Sequence, residues 1–158
     1  MDRGNHKLRT IYRDIASALI FSEDGKLLMG MKDPNAGGVY ADCWHIPGGG
    51  VDKGETNGQA LHREVLEEVG IDITSCTVTL ADDQGSGETE KTIKDTGEKV
   101  LCKMKFYVYR VDMDQNAAEI EPKPNDDLVK LEWVDLADLS NYKLTPPSTI
   151  LFKRLGYY

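Results

Sequence analysis

The chain has 158 residues, 40% of them apolar and 29% charged, and a net charge of −8. That length supports one domain, residues 1–158, with a core that needs no disulfide staples. The acidic balance argues against non-specific nucleic-acid binding but leaves room for a small phosphorylated ligand held through a cation. Cys43, Cys76 and Cys102 form no CxxC pair and read as reduced, packing thiols of a cytoplasmic protein. The polar start MDRGNHKLRT has no apolar signal core, and no run approaches a membrane span. Residues 1–9 are expected to be loosely held.

Arg13 to Phe21 and Lys26 to Lys32 are apolar runs around Glu-Asp-Gly, the pattern of a hairpin. A loop, DPNAGG, follows at 33–38. Trp44-His45-Ile46 is short and extended, and Pro47 ends it before three glycines. The best helix spans Asn57 to Val69. Thr56 and Gln59 fit a capping box, and Gly70 sits where a helix stops. Leu61, Val65 and Val69 recur every four residues and should face the core. Thr77 to Leu80 and Val100 to Val111 read as strands. Between them, residues 81–99 are almost without apolar side chains and suit either a hairpin tip or a mobile flap. Leu128 to Val134 is a strand, Leu136 to Leu139 a helical turn, and Ser148 to Leu155 a closing helix after Pro146-Pro147. Strands, one helix, strands, helix is the order of an α+β layer fold.

One helix edge is unusual. At 100° per residue, Glu67 and Glu68 lie about 60° and about 40° to either side of Glu64, so three carboxylates share one edge. Each like-charge contact at i,i+3 or i,i+4 costs about 0.2–0.5 kcal/mol. Glu67 and Glu68 also stand at the negative end of the helix dipole. A solvated charged face is the plain alternative. The wrong helix end and the neighbouring Gly48-Gly49-Gly50 point instead to a divalent cation, and hard oxygen donors suit magnesium.

Other motifs fail on the same residues. GGVDKGET carries Glu55 where a phosphate loop needs lysine, and Lys53 falls on the third glycine of GxGxxG. Asp112, Asp114 and Asn116 begin like a calcium loop, but Ala117 and Lys123 break it. His6, His45 and His62 are scattered and read as surface or packing residues.

Gly49 to Ile71, GGVDKGETNGQALHREVLEEVGI, resembles the signature of the Nudix hydrolases: G, five residues, E, seven residues, REUxEExGU, with U a bulky aliphatic. Gly49, Glu55, Arg63, Glu64, Val65, Glu67, Glu68, Gly70 and Ile71 match every fixed position. The resemblance implies an α/β/α sandwich around a mixed central sheet, with the box as loop–helix–loop. It implies hydrolysis of a pyrophosphate bond in a nucleoside diphosphate linked to another group, with Mg2+ or Mn2+. By the same resemblance Glu64, Glu67 and Glu68 bind metal, joined by the Gly48 carbonyl. Arg63 would hold a carboxylate at the correct angle, with Glu55 its partner or an outer ligand. Members often have a further acid on a distal loop. Asp126 and Asp127 precede the Leu128 strand, and Asp127, Asp126 and Glu64 itself all stand as candidates for the base.

Substrate choice is less constrained. ADP-ribose-cleaving members tend to carry a proline downstream of the box and dinucleoside-polyphosphate members a tyrosine; residues 85–88 here hold neither. Tyr40, Trp44, Tyr107 and Tyr109 are candidates to stack on a base or simply to pack the sheet. A nucleoside triphosphate is the first expectation and a nucleotide sugar or ADP-ribose type the second. A non-catalytic nucleotide-binding module would show degenerate glutamates, and none is degenerate. An isoprenoid diphosphate isomerase would need a cysteine, for which Cys43 is the nearby candidate. The expected partner is a small nucleotide, without nucleic acid or membrane; a homodimer is compatible with the sequence.

Overall fold

The run RTIYRDIASALIF mixes polar and apolar residues at first and is almost wholly apolar at its end. That suits a strand exposed at one end and buried on both faces at the other. In the computed structural model, which describes residues 7–35, 40–125 and 128–158, this run is β1 (Arg9–Phe21), longer than the expected strand by four residues. The other strands are β2 (Leu27–Lys32), β3 (Trp44–His45), β4 (Gly48–Gly50), β5 (Thr77–Asp82), β6 (Ser86–Thr92), β7 (Lys99–Asp112) and β8 (Leu128–Val134). They form one mixed sheet in the order β3-β2-β1-β7-β5, with β4 on β1, β6 on β7 and β8 on β2. β1 and β7 run parallel from Arg9↔Val100 to Phe21↔Asp112, and the other strand pairings are antiparallel.

A helix covers each face. Ala16, Ala18 and Ile20 of β1 pack under α1 (Asn57–Val69) with Leu61, Val65 and Val69, all three fully buried. Leu19 and Phe21, on the alternate positions, pack under α2 (Pro146–Arg154) with Leu151 and Phe152. This is the α/β/α sandwich. Cys43 and Cys102 are buried, Cys76 is half-buried, and all three are free thiols. Among the described residues no helix is long and apolar enough to cross a membrane.

Three local readings are sharpened. The extended run at Trp44 does end before Pro47, but the glycines beyond it form a strand of their own: they pair with β1 as β4, Ile15↔Gly50, Ala16↔Gly49 and Ser17↔Gly48. Of the two readings of the polar segment after β5, the hairpin holds, because β6 pairs with β7 from Ser86↔Lys105 to Thr92↔Lys99. Its tip closes with Ile93 N–H on Glu98 O at 2.8 Å. Pro146 and Pro147 lie inside α2, in its first turn, where the absent N–H costs nothing; the Thr145 hydroxyl caps the helix by accepting Ser148 N–H at 3.3 Å. Half of the 33–38 loop, and the first six residues of the chain, lie outside the described residues.

One ion pair pins α2 to the far side of the sheet. Arg154 donates Nε to Asp82 Oδ1 at 2.7 Å and Nη2 to Oδ2 at 2.8 Å. The Asp82 side chain is only 6% exposed. Bonding to Arg154 holds the Asp82 carboxyl below the usual carboxylate range despite burial. Its stabilising effect is therefore complete above the unfolded carboxyl's range and is lost as pH falls through the lower folded value. Arg154→Met should cost about 1–3 kcal/mol at neutral pH, since it strands a buried carboxylate. Denaturant titrations should show the gap to wild type closing in acid; a gap independent of pH would mean that packing alone is lost.

Candidate active site

The box helix is fixed at both ends. Thr56 Oγ1 accepts Gln59 N–H at 3.1 Å, and Gln59 Oε1 accepts Thr56 N–H at 2.9 Å, the reciprocal capping box. Gly70 stops the helix in the left-handed region, φ 70°. Beyond it, the chain returns to cap the last turn. Lys123 N–H donates to Val69 O at 2.9 Å and Asn125 N–H to Glu68 O at 3.0 Å. With Leu61, Val65 and Val69 in the core, Glu64, Glu67 and Glu68 are left along the edge that meets β4.

Arg63 organises that edge. Its guanidinium grips Glu55 in a fork, Nε to Oε2 at 2.8 Å and Nη2 to Oε1 at 2.9 Å. Nη1 reaches Glu64 Oε1 at 2.9 Å and Glu67 Oε2 at 3.4 Å. Nη2 also donates to the Gly50 carbonyl at 3.1 Å and stands 3.4 Å from Asp52 Oδ2. The fork lowers the Glu55 carboxyl from its usual 4.5 to about 2, helped by the Asp52 N–H. The same partners, Glu55 foremost, raise the Arg63 guanidinium above its ordinary value. The repulsion among the glutamates is thus partly offset by a side chain of the same helix.

The glycine strand brings bare backbone to the carboxylates. A Cβ on Gly49 would overlap the Glu64 carboxyl, so no other residue fits there without displacing it. Glu68 is 7% exposed, and its Oε1 accepts the Gly48 N–H at 2.9 Å. Glu64 is 17% and Glu67 47% exposed at the side chain, a gradient from the sheet to the solvent. Among the described residues, no three acidic, histidine or cysteine side chains converge as one ligand set. Glu64 and Glu67 face Arg63, and Glu68 faces Gly48.

A divalent cation nonetheless fits this chemistry. The donors are hard carboxylate oxygens, and Arg63 engages only one oxygen each of Glu64 and Glu67. The space above Gly49 is filled by a carboxylate instead of a side chain of β4.

The remaining candidates are dispersed. Tyr40 lies in a turn with φ 62° and is 45% exposed. Trp44 packs edge-on against Tyr142, ring centroids 5.5 Å apart, at the margin of the α2 core. Tyr107 is half-buried opposite Ala16, with Lys105 Nζ 5.4 Å from its ring. Tyr109 packs against the α1 core. Asp126 and Asp127 lie outside the described residues; their neighbours Asn125 and Leu128 are joined by Leu128 N–H to Asn125 O at 3.1 Å. Sequence reasoning missed Asp52 and the Gly50 carbonyl as partners of Arg63. It also missed Arg13, whose guanidinium fills the place of a side chain on Gly50. Strand alternation from Leu19 back along β1 would have put Arg13 on the α2 face.

Comparison with known proteins agrees with this geometry. The NUDIX domain model matches residues 11–155. Nucleoside triphosphatase NudI of Escherichia coli K12 is 33% identical over 135 residues, covering 84% of this chain and 88% of that one. Among solved structures, the Nudix hydrolase RenU from M. smegmatis superposes with a TM-score of 0.68 at 19% identity, covering 97% and 93% of the two chains. The E. coli dihydroneopterin triphosphate pyrophosphohydrolase gives 0.62 at 18% identity, covering 94% and 99%. Both show the fold. The family model spans nearly all of the chain: the protein belongs to the Nudix hydrolase family and is a pyrophosphohydrolase.

Proposed function

We propose that this enzyme hydrolyses a pyrophosphate bond of a nucleoside triphosphate, with magnesium or manganese as its divalent ion. The carrying observation is the apposition of Glu64 and Glu68, two of the three carboxylates on one edge of α1, to a strand of three glycines. The likeness to a nucleoside triphosphatase supports the triphosphate over a nucleotide sugar.

Glu64, Glu67 and Glu68 would hold the ion, with the Gly48 carbonyl as a further oxygen donor. When bound, it neutralises the pyrophosphate and lowers the pKa of a water molecule. The chain's own residues do the rest. Arg63, locked on Glu55 and the Gly50 carbonyl, fixes the angle of Glu64. As the water oxygen bonds to phosphorus and the bridging P–O bond breaks, a carboxylate takes the water proton. Glu64 is one acceptor for it. Asp126 and Asp127 are the others, because the chain just before them is held at the C-terminal end of α1 by Asn125.

Chelation should abolish turnover, with either metal restoring it; phosphate and pyrophosphate release over a nucleotide panel measures this. Activity that persists in excess chelator would overturn the mechanism. Glu64→Gln should lower kcat by about 10²–10⁴-fold. Its Tm should stay near wild type, because the amide oxygen still accepts from Arg63. Near-native turnover would remove Glu64 from the chemistry. The Glu55–Arg63 fork predicts a pH signature. Since the folded Glu55 carboxyl sits near 2 rather than 4.5, its contribution is complete above about 4.5 and fades as pH falls toward 2. The Tm gap between wild type and Glu55→Gln should be widest above pH 5 and close in strong acid. A constant gap would mean that the fork does not set the carboxyl's affinity for protons.

A further inference from the structure

Five arginines lie among the described residues, and four have carboxylate partners. Arg9 pairs with Glu98, Arg63 with the box acids, Arg110 with Asp112 and Arg154 with Asp82. Arg13 is the fifth. It is half-buried, in a chain of net charge −8, yet it makes no hydrogen bond or ion pair among the described residues. Its neighbour Asp14 does not compensate it, because successive strand residues point to opposite faces.

Its position is informative. A Cβ on Gly50 would overlap the Arg13 guanidinium, just as a Cβ on Gly49 would overlap the Glu64 carboxyl. Adjacent glycines, their Cα atoms about 3.8 Å apart, thus carry the cation on one face of β4 and the proposed metal-binding acid on the other. β4 is hydrogen-bonded only to β1 among the described strands, so its outer edge separates the two groups. A ligand crossing that edge meets both. On β7 the residue level with Arg13 is the uncharged Met104; Lys103 and Lys105, level with Tyr12 and Asp14, stand on the opposite face.

We infer that Arg13 binds the polyphosphate chain of the substrate, reaching it across β4 from the box carboxylates. A guanidinium gives phosphate two parallel N–H bonds, and one half-withdrawn from water and lacking a carboxylate is suited to an anionic ligand. This inference rests on the triphosphate reading and adds to it a residue outside the box.

The test uses two probes that resist hydrolysis because methylene groups replace bridging oxygens: bismethylene triphosphate and a methylene-bridged nucleoside triphosphate. Binding is measured by isothermal titration with magnesium present, for the wild type, Arg13→Ala and Arg13→Lys. Arg13→Ala should weaken both probes by about tenfold to hundredfold, the range for a charged hydrogen bond. Arg13→Lys should recover part of the loss, and Tm should hold in both variants. KM for a hydrolysable triphosphate should rise by a similar factor. Unchanged affinity of Arg13→Ala for bismethylene triphosphate would overturn the inference. So would a loss confined to the nucleoside-bearing probe, which would make Arg13 a base or ribose contact, and so would a wild type that does not bind bismethylene triphosphate. If the wild type binds it through Arg13 but cleaves no nucleoside triphosphate, the inference stands and the triphosphatase reading falls. If it cleaves one and Arg13→Ala binds normally, the reverse holds.

Discussion

The guanidinium of Arg63 is the constraint on which the site depends. Five carboxylates, from Asp52, Glu55, Glu64, Glu67 and Glu68, gather at the edge between α1 and β4. Arg63 is ion-paired to the first four, while Glu68 bonds to Gly48. A lysine would supply the charge but not the planar fork that grips Glu55 with two nitrogens and still reaches Glu64 and the Gly50 carbonyl. The fork also ties the loop before the helix to the helix itself, so loop, helix and glycine strand move as one body. That rigidity matters for a reaction whose catalysis is mostly positioning and charge neutralisation.

Glycine supplies the other half. β4 has no side chains, and the sheet accepts it because β1 provides the pairing and the buried surface. Of the three places where side chains would stand, two are filled from elsewhere, by Glu64 on one face and Arg13 on the other. Functional groups are thereby delivered to the backbone of β4 by a helix anchored in the core under α1 and by a strand, β1, that is buried in both cores. Burial that stabilises the sandwich also fixes the separation of the acid and the cation.

The sequence made legible what local chemistry determines. The span of α1 followed from its 3.6-residue periodicity, the Thr56–Gln59 box and Gly70, because each acts within a few residues. The glutamate edge followed from helical geometry alone, and the fixed positions of the box identified the family. What escaped was specified by partners far along the chain. β4 has no propensity for a strand and exists through β1. β6 is almost wholly polar and exists through backbone pairing with β7. Arg63 read as a clamp for Glu55; its hold on Glu64, Glu67 and Gly50 depends on how the loop folds back over the helix. Trp44 could be read as a stacking platform or as core, and its contact with Tyr142 needed both ends of the chain in place.

The electrostatics of the cluster explain why stability and chemistry pull in different directions here. One guanidinium cannot neutralise five carboxylates, so a net negative charge remains confined between α1 and β4. Moving unlike charges together in a partly buried site strengthens their attraction, but it strengthens the residual repulsion in the same proportion. The helix tolerates this because Leu61, Val65 and Val69 anchor it by burial that does not depend on charge. Glu68 is the most buried acid of the three, and its Oε1 accepts the Gly48 N–H. A cation shared by Glu64, Glu67 and Glu68 would add to the neutralisation that Arg63 begins. The division of labour follows: the guanidinium shapes the loop side of the cluster, and burial of the apolar face holds the helix against the charge that remains.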